Sequence, residues 1–146
     1  MEKILVTGCA GFIGMHLCES LLKDGFEVFG LDNINDYYDT GLKKERLKKL
    51  KPFKNFQFSR SNISVLSEVE SIFKEFKPSK VVNLAAQAGV RYSLKNPHSY
   101  IQNNIASSMN ILECCRHYNT KGLIYASSSS VYGGNKKTPF SVKDRI

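Results

Sequence analysis

Short apolar runs alternate with segments of helical period along the whole chain, and this alternation restricts the fold more than any other feature. Runs at Lys3–Thr7 (KILVT), Glu27–Asp32 (EVFGLD), Phe56–Ser59 (FQFS), Lys80–Ala86 (KVVNLAA) and Gly122–Ser127 (GLIYAS) read as five strands. Between them, Ile13, Leu17 and Leu21 recur at helical spacing until Asp24–Gly25. A lysine-rich segment carrying Leu42, Leu47 and Leu50 is stopped by Pro52. Leu66, Val69, Phe73 and Phe76 mark a helix ending before Pro78, and Ile101, Ile105, Ser108 and Leu112 mark one face of another. That last helix is expected to begin near Pro97, a favourable first-turn residue, and to reach Tyr118.

Strands alternating with helices require crossover connections, so the expected fold class is α/β: a doubly wound parallel sheet covered on both faces. At 146 residues the chain is one domain, residues 1–146, long enough to bury a core. The Lys80–Ala86 run is near-continuous in its apolar character, interrupted only by Asn83 after Lys80, as a strand buried on both faces should be. Such sheets bind ligands beyond the carboxyl ends of their strands, where strand order reverses. Gly8, Ala85 and Ser127 therefore mark the places for chemistry.

The first strand runs into TGCAGFIG, with Gly8, Gly11 and Gly14 at regular spacing. In a strand–turn–helix, the first glycine allows the tight turn and the second lets backbone approach a pyrophosphate. The third permits close helix–strand packing, while the helix N-terminus supplies free N–H groups. Asp32 follows Gly14 by 18 residues, at the end of the second strand. A carboxylate there accepts from ribose hydroxyls and repels a 2′-phosphate, which favours NAD over NADP as cofactor. A glycine turn without a ligand is the plainer reading of the triplet alone.

Charge and cysteines narrow the function classes. Residues 43–54 carry seven Lys and Arg against Glu45, a net +6 of the chain's +8. One basic run beside Leu42, Leu47 and Leu50, with no aromatics but Phe53, reads as a solvated helix face, so no nucleic-acid partner is expected. Cys9, Cys18, Cys114 and Cys115 form no C-x-x-C pair, so no metal is expected and reduced thiols are. No apolar run approaches the roughly 20 residues of a spanning helix, and MEKILVTG leaves no room for a signal peptide. The expected location is cytoplasmic, with no membrane partner.

VTGCAGFIG, GLDNINDYY, NLAAQAGVRYS, NPHSYIQNNI and YASSSSVYG together resemble the extended short-chain dehydrogenase/reductase superfamily, in its nucleotide-sugar epimerase/dehydratase branch. DNINDYYD and AAQAGVRYSLKNP are most similar to UDP-glucuronate 4-epimerases. The resemblance implies a Rossmann-type NAD-binding domain that exchanges UDP-glucuronate and UDP-galacturonate through a transient 4-keto sugar. It also implies a UDP-sugar partner and a homodimer for the full-length enzyme.

Carried over by position, the resemblance sets Gly8, Gly11, Phe12, Ile13 and Gly14 along the pyrophosphate and Asp32 with Asn33 at the adenosine ribose. Asn62 and Ile63 flank adenine, with Asn standing where the family usually has Asp. Leu84, Ala85 and Ala86 wall the nicotinamide ribose, and Asn104 supports the cofactor unless it is a solvated mid-helix residue. Ser128 is implied as the catalytic serine, with Ser127 touching cofactor or substrate; a serine-rich turn is the alternative. Gln87, Arg91 and Ser93 are implied at the sugar or diphosphate, though Arg91 reads equally as a surface charge.

The resemblance places a Tyr-x-x-x-Lys pair on the helix after the serine strand. Tyr132 and Lys136 have that spacing but sit in VYGGNKK, a glycine-rich turn. The 146 residues are therefore expected to form the cofactor half of an epimerase, truncated after about the fifth strand and inactive alone. Self-association through the fifth strand's open edge is expected of such a fragment. Another superfamily epimerase, dehydratase or decarboxylase is the rival enzyme reading. A non-catalytic dinucleotide-binding fragment is the rival outside enzymes. Dehydratases carry an acid pair beside the catalytic serine or threonine, which SSSSVYGG lacks.

Overall fold

A computed structural model describes residues 1–146. Strands β1 (Lys3–Thr7), β2 (Glu27–Asp32), β3 (Phe56–Arg60), β4 (Lys80–Asn83) and β5 (Gly122–Tyr125) form one parallel sheet in the order β3-β2-β1-β4-β5. The chain moves outward from β1 through β2 to β3, then crosses to the other side of β1 for β4 and β5. The reversal lies between β1 and β4, where Thr7 pairs with Asn83. This is the doubly wound arrangement that the alternation demanded.

Side chains on successive strand residues point to opposite faces, and the core divides accordingly. Ile4, Val6, Val28 and Val82 pack on one side with Met15, Cys18 and Leu22 of α1 (Phe12–Lys23) and Leu47 and Leu50 of α2 (Thr40–Leu50). Leu5, Leu31 and Val81 pack on the other with Val69, Ile72, Phe73 and Phe76 of α3 (Leu66–Phe76). Ile111 and Cys114 of a later helix complete that second layer. Lys77 closes α3 in the left-handed region at φ +54°, and Pro78 follows at once, as expected from the sequence.

The structure moves the expected apolar stripe of α1 by one residue. Gly14, Met15, Cys18 and Leu22 are buried, whereas Ile13 is 67% exposed. Close approach of Gly14 to the β1 turn fixes the helix rotation, and Ile13, about 100° around the axis, is turned outward.

The last helical region also departs from expectation. It starts at Pro97, capped by Asn96, whose side-chain oxygen accepts from the Ser99 amide at 3.2 Å. The short α4 (Pro97–Tyr100) gives way to a π turn over Ile101–Ala106 before α5 (Ser107–His117). The Ser107 hydroxyl donates to the Gln102 carbonyl at 3.0 Å, five residues back. The wider turn changes the helical phase, so Ser107, Ile111 and Cys114 face the core. The expected stripe points away from it: Ile101 and Leu112 are exposed, Ile105 is 62% exposed, and Met109 joins them.

Two strands are shorter than their apolar runs. β4 stops at Asn83 because the Leu84 and Ala85 amides turn to the Thr7 hydroxyl at 3.1 and 3.0 Å. β5 stops at Tyr125, and the serines continue into a 3-10 turn over Ser129–Tyr132. Among these residues β5 is a sheet edge, with Ile124 and Tyr125 exposed. No helix is long and apolar enough to cross a membrane.

Candidate functional site

The carboxyl ends of β1, β2 and β4 surround a cavity of about 240 Å³ whose lining includes Gly8, Gly11, Asp32, Asn62, Leu84 and Ala85. Its floor is the glycine turn. Gly8 has φ +69° and donates its N–H to the Leu31 carbonyl at 2.7 Å. A Cβ there would meet the Ala85 nitrogen at 3.0 Å, so the loop after β4 lies against bare glycine backbone. A Cβ on Gly14 would come within 2.1 Å of the Gly8 carbonyl oxygen. Gly11 begins α1 without a side-chain cap, leaving first-turn N–H groups for an anion. Phe12 and Ile13 are exposed at this open end.

Asp32 is only 7% exposed and its carboxylate is fixed from two sides. One oxygen accepts from the Ala10 amide at 3.1 Å, the other from the Ile34 amide at 2.8 Å. A third contact was not read from the sequence. Lys43 of α2, expected on a solvated face, is 4% exposed and sets its ammonium 3.9 Å from Asp32. That ammonium donates to Asn35 Oδ1 at 2.7 Å and lies 4.7 Å from the Tyr38 ring centre. Burial lowers the Lys43 pKa, with Asp32 opposing the shift. Arg46, one turn further, donates to the Ala10 carbonyl at 3.3 Å and the Tyr38 hydroxyl at 3.1 Å. The i, i+3 pair closely following the β2–α2 loop was the available signal; a run of lysines concealed it.

Thr7 and Asn83 hold the far wall. The Thr7 hydroxyl donates to Asn83 Oδ1 at 2.6 Å while accepting from the two amides that end β4, so Leu84, Ala85 and Ala86 turn over the glycine loop. Asn104 sits in the π turn and clamps Gln87: its oxygen accepts from the Gln87 amide at 2.7 Å and its nitrogen donates to the Gln87 carbonyl at 3.1 Å. Asn104 faces this loop, although its neighbour Ile105, on the expected apolar face of the helix, points to solvent. Gln87 is itself buried, its side-chain oxygen taking the Ser99 hydroxyl at 3.2 Å.

Asn33, Asn62, Ile63, Leu84, Ala85, Ala86 and Gln87 all line the cavity. Arg91 and Ser93 do not: both lie in a 3-10 turn over Val90–Leu94, where the Ser93 hydroxyl donates to the Val90 carbonyl at 2.6 Å. Ser127 and Ser128 are also outside it. Ser128 accepts the Ser130 amide at 3.0 Å, so its hydroxyl oxygen caps a local turn. The tyrosines of the β2–α2 loop were missed as well. Tyr37 packs on Tyr92 at 5.1 Å between ring centres and joins that loop to the segment after β4. Cys9, although in the glycine turn, is buried toward Gly30, and burial raises its thiol pKa.

The family profile described as GDP-mannose 4,6 dehydratase matches residues 5–146, nearly the whole chain. The chain belongs to that family. It is thereby a member of the extended short-chain dehydrogenase/reductases, in the nucleotide-sugar epimerase/dehydratase group. Family members similar to it include Protein CapI of Staphylococcus aureus, 54% identical over 99% of this chain and 43% of that protein. UDP-glucuronate 4-epimerase 2 of Arabidopsis thaliana is 48% identical over 98% of this chain and 33% of its own length. Among solved structures, UDP-glucuronic acid 4-epimerase from Bacillus cereus, in complex with UDP-glucuronic acid and NAD, matches with a TM-score of 0.85. It is 36% identical over 99% of this chain and 45% of that one. The chain thus spans less than half the length of these relatives.

Proposed function

We propose that the chain is the NAD-binding part of a nucleotide-sugar 4-epimerase that interconverts UDP-glucuronate and UDP-galacturonate. The observation that carries this reading is the fixed Asp32 carboxylate beside an uncapped glycine turn at the switch point. The glycine-turn amides, with Phe12 and Ile13, hold the pyrophosphate. Asp32 and Asn33 accept from the adenosine ribose, and Asn62 and Ile63 flank the base. Leu84, Ala85 and Ala86 bound the nicotinamide ribose, and Asn104 supports them by clamping the loop at Gln87. When bound, the nicotinamide supplies reversible hydride acceptance.

Ser128, with Ser127, serves the sugar hydroxyl, since accepting the Ser130 amide leaves the Ser128 O–H free to donate, and of the three residues assigned to the sugar or diphosphate Gln87 lines the cavity. Arg91 and Ser93, in the Val90–Leu94 turn outside the cavity, are assigned to the sugar or diphosphate by family resemblance alone. The rival reading as a 4,6-dehydratase follows the description of the matched profile. The absence of an acid beside the serines counts against it.

We place the protein in the cytoplasm. Self-association, and a homodimer in a longer form, would cover the β5 edge and the outward face of Ile101, Ile105, Met109 and Leu112. Light scattering at rising concentration is expected to show a mass above 16.5 kDa. A monomer throughout would refute this.

Calorimetry tests the cofactor reading. NAD is expected to bind at least about tenfold more tightly than NADP, because a 2′-phosphate would face the Asp32 carboxylate. Equal or tighter binding of NADP would contradict the ribose assignment.

A further inference from the structure

Two segments meet above the carboxyl edge of the sheet. The loop after β2 leads to α2, which packs on the face of Ile4 and Val6. The segment after β4 leads through α4 to α5, which packs on the opposite face with Leu5 and Val81. A contact between these segments therefore crosses over the strand ends. Tyr37 supplies it: its ring centre lies 5.1 Å from that of Tyr92, and its hydroxyl lies against Gly89, where a Cβ would collide with it. Tyr37 and Ala88 also line the cavity floored by Gly8 and Asp32, so the bridge forms part of its roof.

Each side of the bridge has its own anchors. On one, Asn104 holds Gln87, Gln87 takes the Ser99 hydroxyl, and the Tyr100 hydroxyl donates to the Ala88 carbonyl at 3.0 Å. The Tyr100 ring stands 6.4 Å from that of Tyr92 and backs it. On the other side Asp32 takes the Ile34 amide, Asn35 takes Lys43, and Asp39 accepts the Gly41 amide at 2.7 Å to start α2. No hydrogen bond joins residues 33–39 to residues 87–103. Tyr37 is 43% exposed and belongs to neither core layer. The two halves can thus part at the ring pair alone, with every hydrogen bond on both sides kept.

We propose that Tyr37 and Tyr92 form a clasp over the dinucleotide cavity, which parts to admit or release the cofactor and closes behind it. The inference rests on the dinucleotide reading above. Both tyrosines act as positioning residues, by holding two loops together. An aromatic pair of this kind shifts a closing equilibrium by up to about tenfold. Opening lies on the path in both directions, so loosening the clasp speeds association and dissociation together and changes the affinity little. A side chain that merely touched the bound cofactor would change dissociation alone.

The probe is NADH, whose fluorescence reports binding in a stopped-flow mixer; an excess of NAD then displaces it. With the 146-residue chain, Tyr37→Ala is expected to raise the association and dissociation rate constants together, each about tenfold, with Kd held within about threefold. Tyr92→Ala removes the same contact from the other side and should give the same result; it serves if the first variant does not fold. The double variant should be no faster than either single one, because one contact is lost once. Tyr37→Phe keeps the ring pair and should stay near the wild-type rates. Faster dissociation with unchanged association, or rates unmoved by both alanine substitutions, would overturn the clasp while leaving the cofactor reading intact. Failure of the wild type to bind NADH and NAD would overturn both.

Discussion

Gly14→Ala is expected to abolish dinucleotide binding and to lower folding stability by about 3 kcal/mol, the upper range for an overpacked site. The added methyl would sit 2.1 Å from the Gly8 carbonyl oxygen and 2.9 Å from the Cys9 Cα. Both obstacles are backbone, so no rotamer change relieves the clash. α1 must move away from β1, which opens the layer of Met15, Cys18 and Leu22 and displaces the uncapped N–H groups at Gly11. Urea unfolding and an NAD titration read the two effects separately. A variant with wild-type stability would show that helix and strand are not in the close contact described.

Asp32→Asn is expected to be nearly as damaging and to remove the preference for NAD. The carboxylate takes two backbone amides, at Ala10 and Ile34. An asparagine must turn its own NH2 toward one of them and leaves the buried Lys43 ammonium without its counter-charge. Unpairing such groups costs about 2–4 kcal/mol. The sign of the pH dependence follows from Lys43, whose folded pKa lies below its ordinary 10.5 because of burial. Between the two values the unfolded chain binds more proton, so the lysine's contribution to stability rises with pH through that window. Without Asp32 the folded pKa falls further, and the window widens downward. The deficit of Asp32→Asn relative to wild type should therefore shrink as pH rises into the alkaline range. A constant deficit would mean that Lys43 and Asp32 do not interact.

What the sequence revealed and concealed follows from how local each cause is. The glycine turn was legible because Gly8 and Gly14 meet steric demands that no other residue satisfies, and those demands have fixed spacing. The sheet was legible because five apolar runs alternate with helical segments. Lys43 was not, since a lysine among lysines reads as solvated. Only the fold brings Asp32, Asn35 and Tyr38 around it. The π turn has no residue signature, so the helical phase from Ile101 onward was misjudged and the exposed face of Ile101, Ile105 and Leu112 was read as the apolar stripe. Ser128 lies beyond β5 as expected, and the local cap it makes by accepting the Ser130 amide, not read from the sequence, leaves its O–H free to donate. Arg91 and Ser93 follow β4 as expected, in a 3-10 turn outside the cavity lined by Gly8 and Asp32; that turn was not read from the sequence.

The central claim is that a dinucleotide lies along the ends of β3, β2, β1 and β4, with Asp32 at its ribose. Backbone amide chemical shifts recorded while NAD is added test this most directly. Shifts are expected at Gly8–Gly14, Asp32–Asn33, Asn62–Ile63 and Leu84–Ala86, with little change on the outward face of Ile105 and Met109. Saturable shifts confined to the segment after Tyr125, or no saturable shifts, would contradict it.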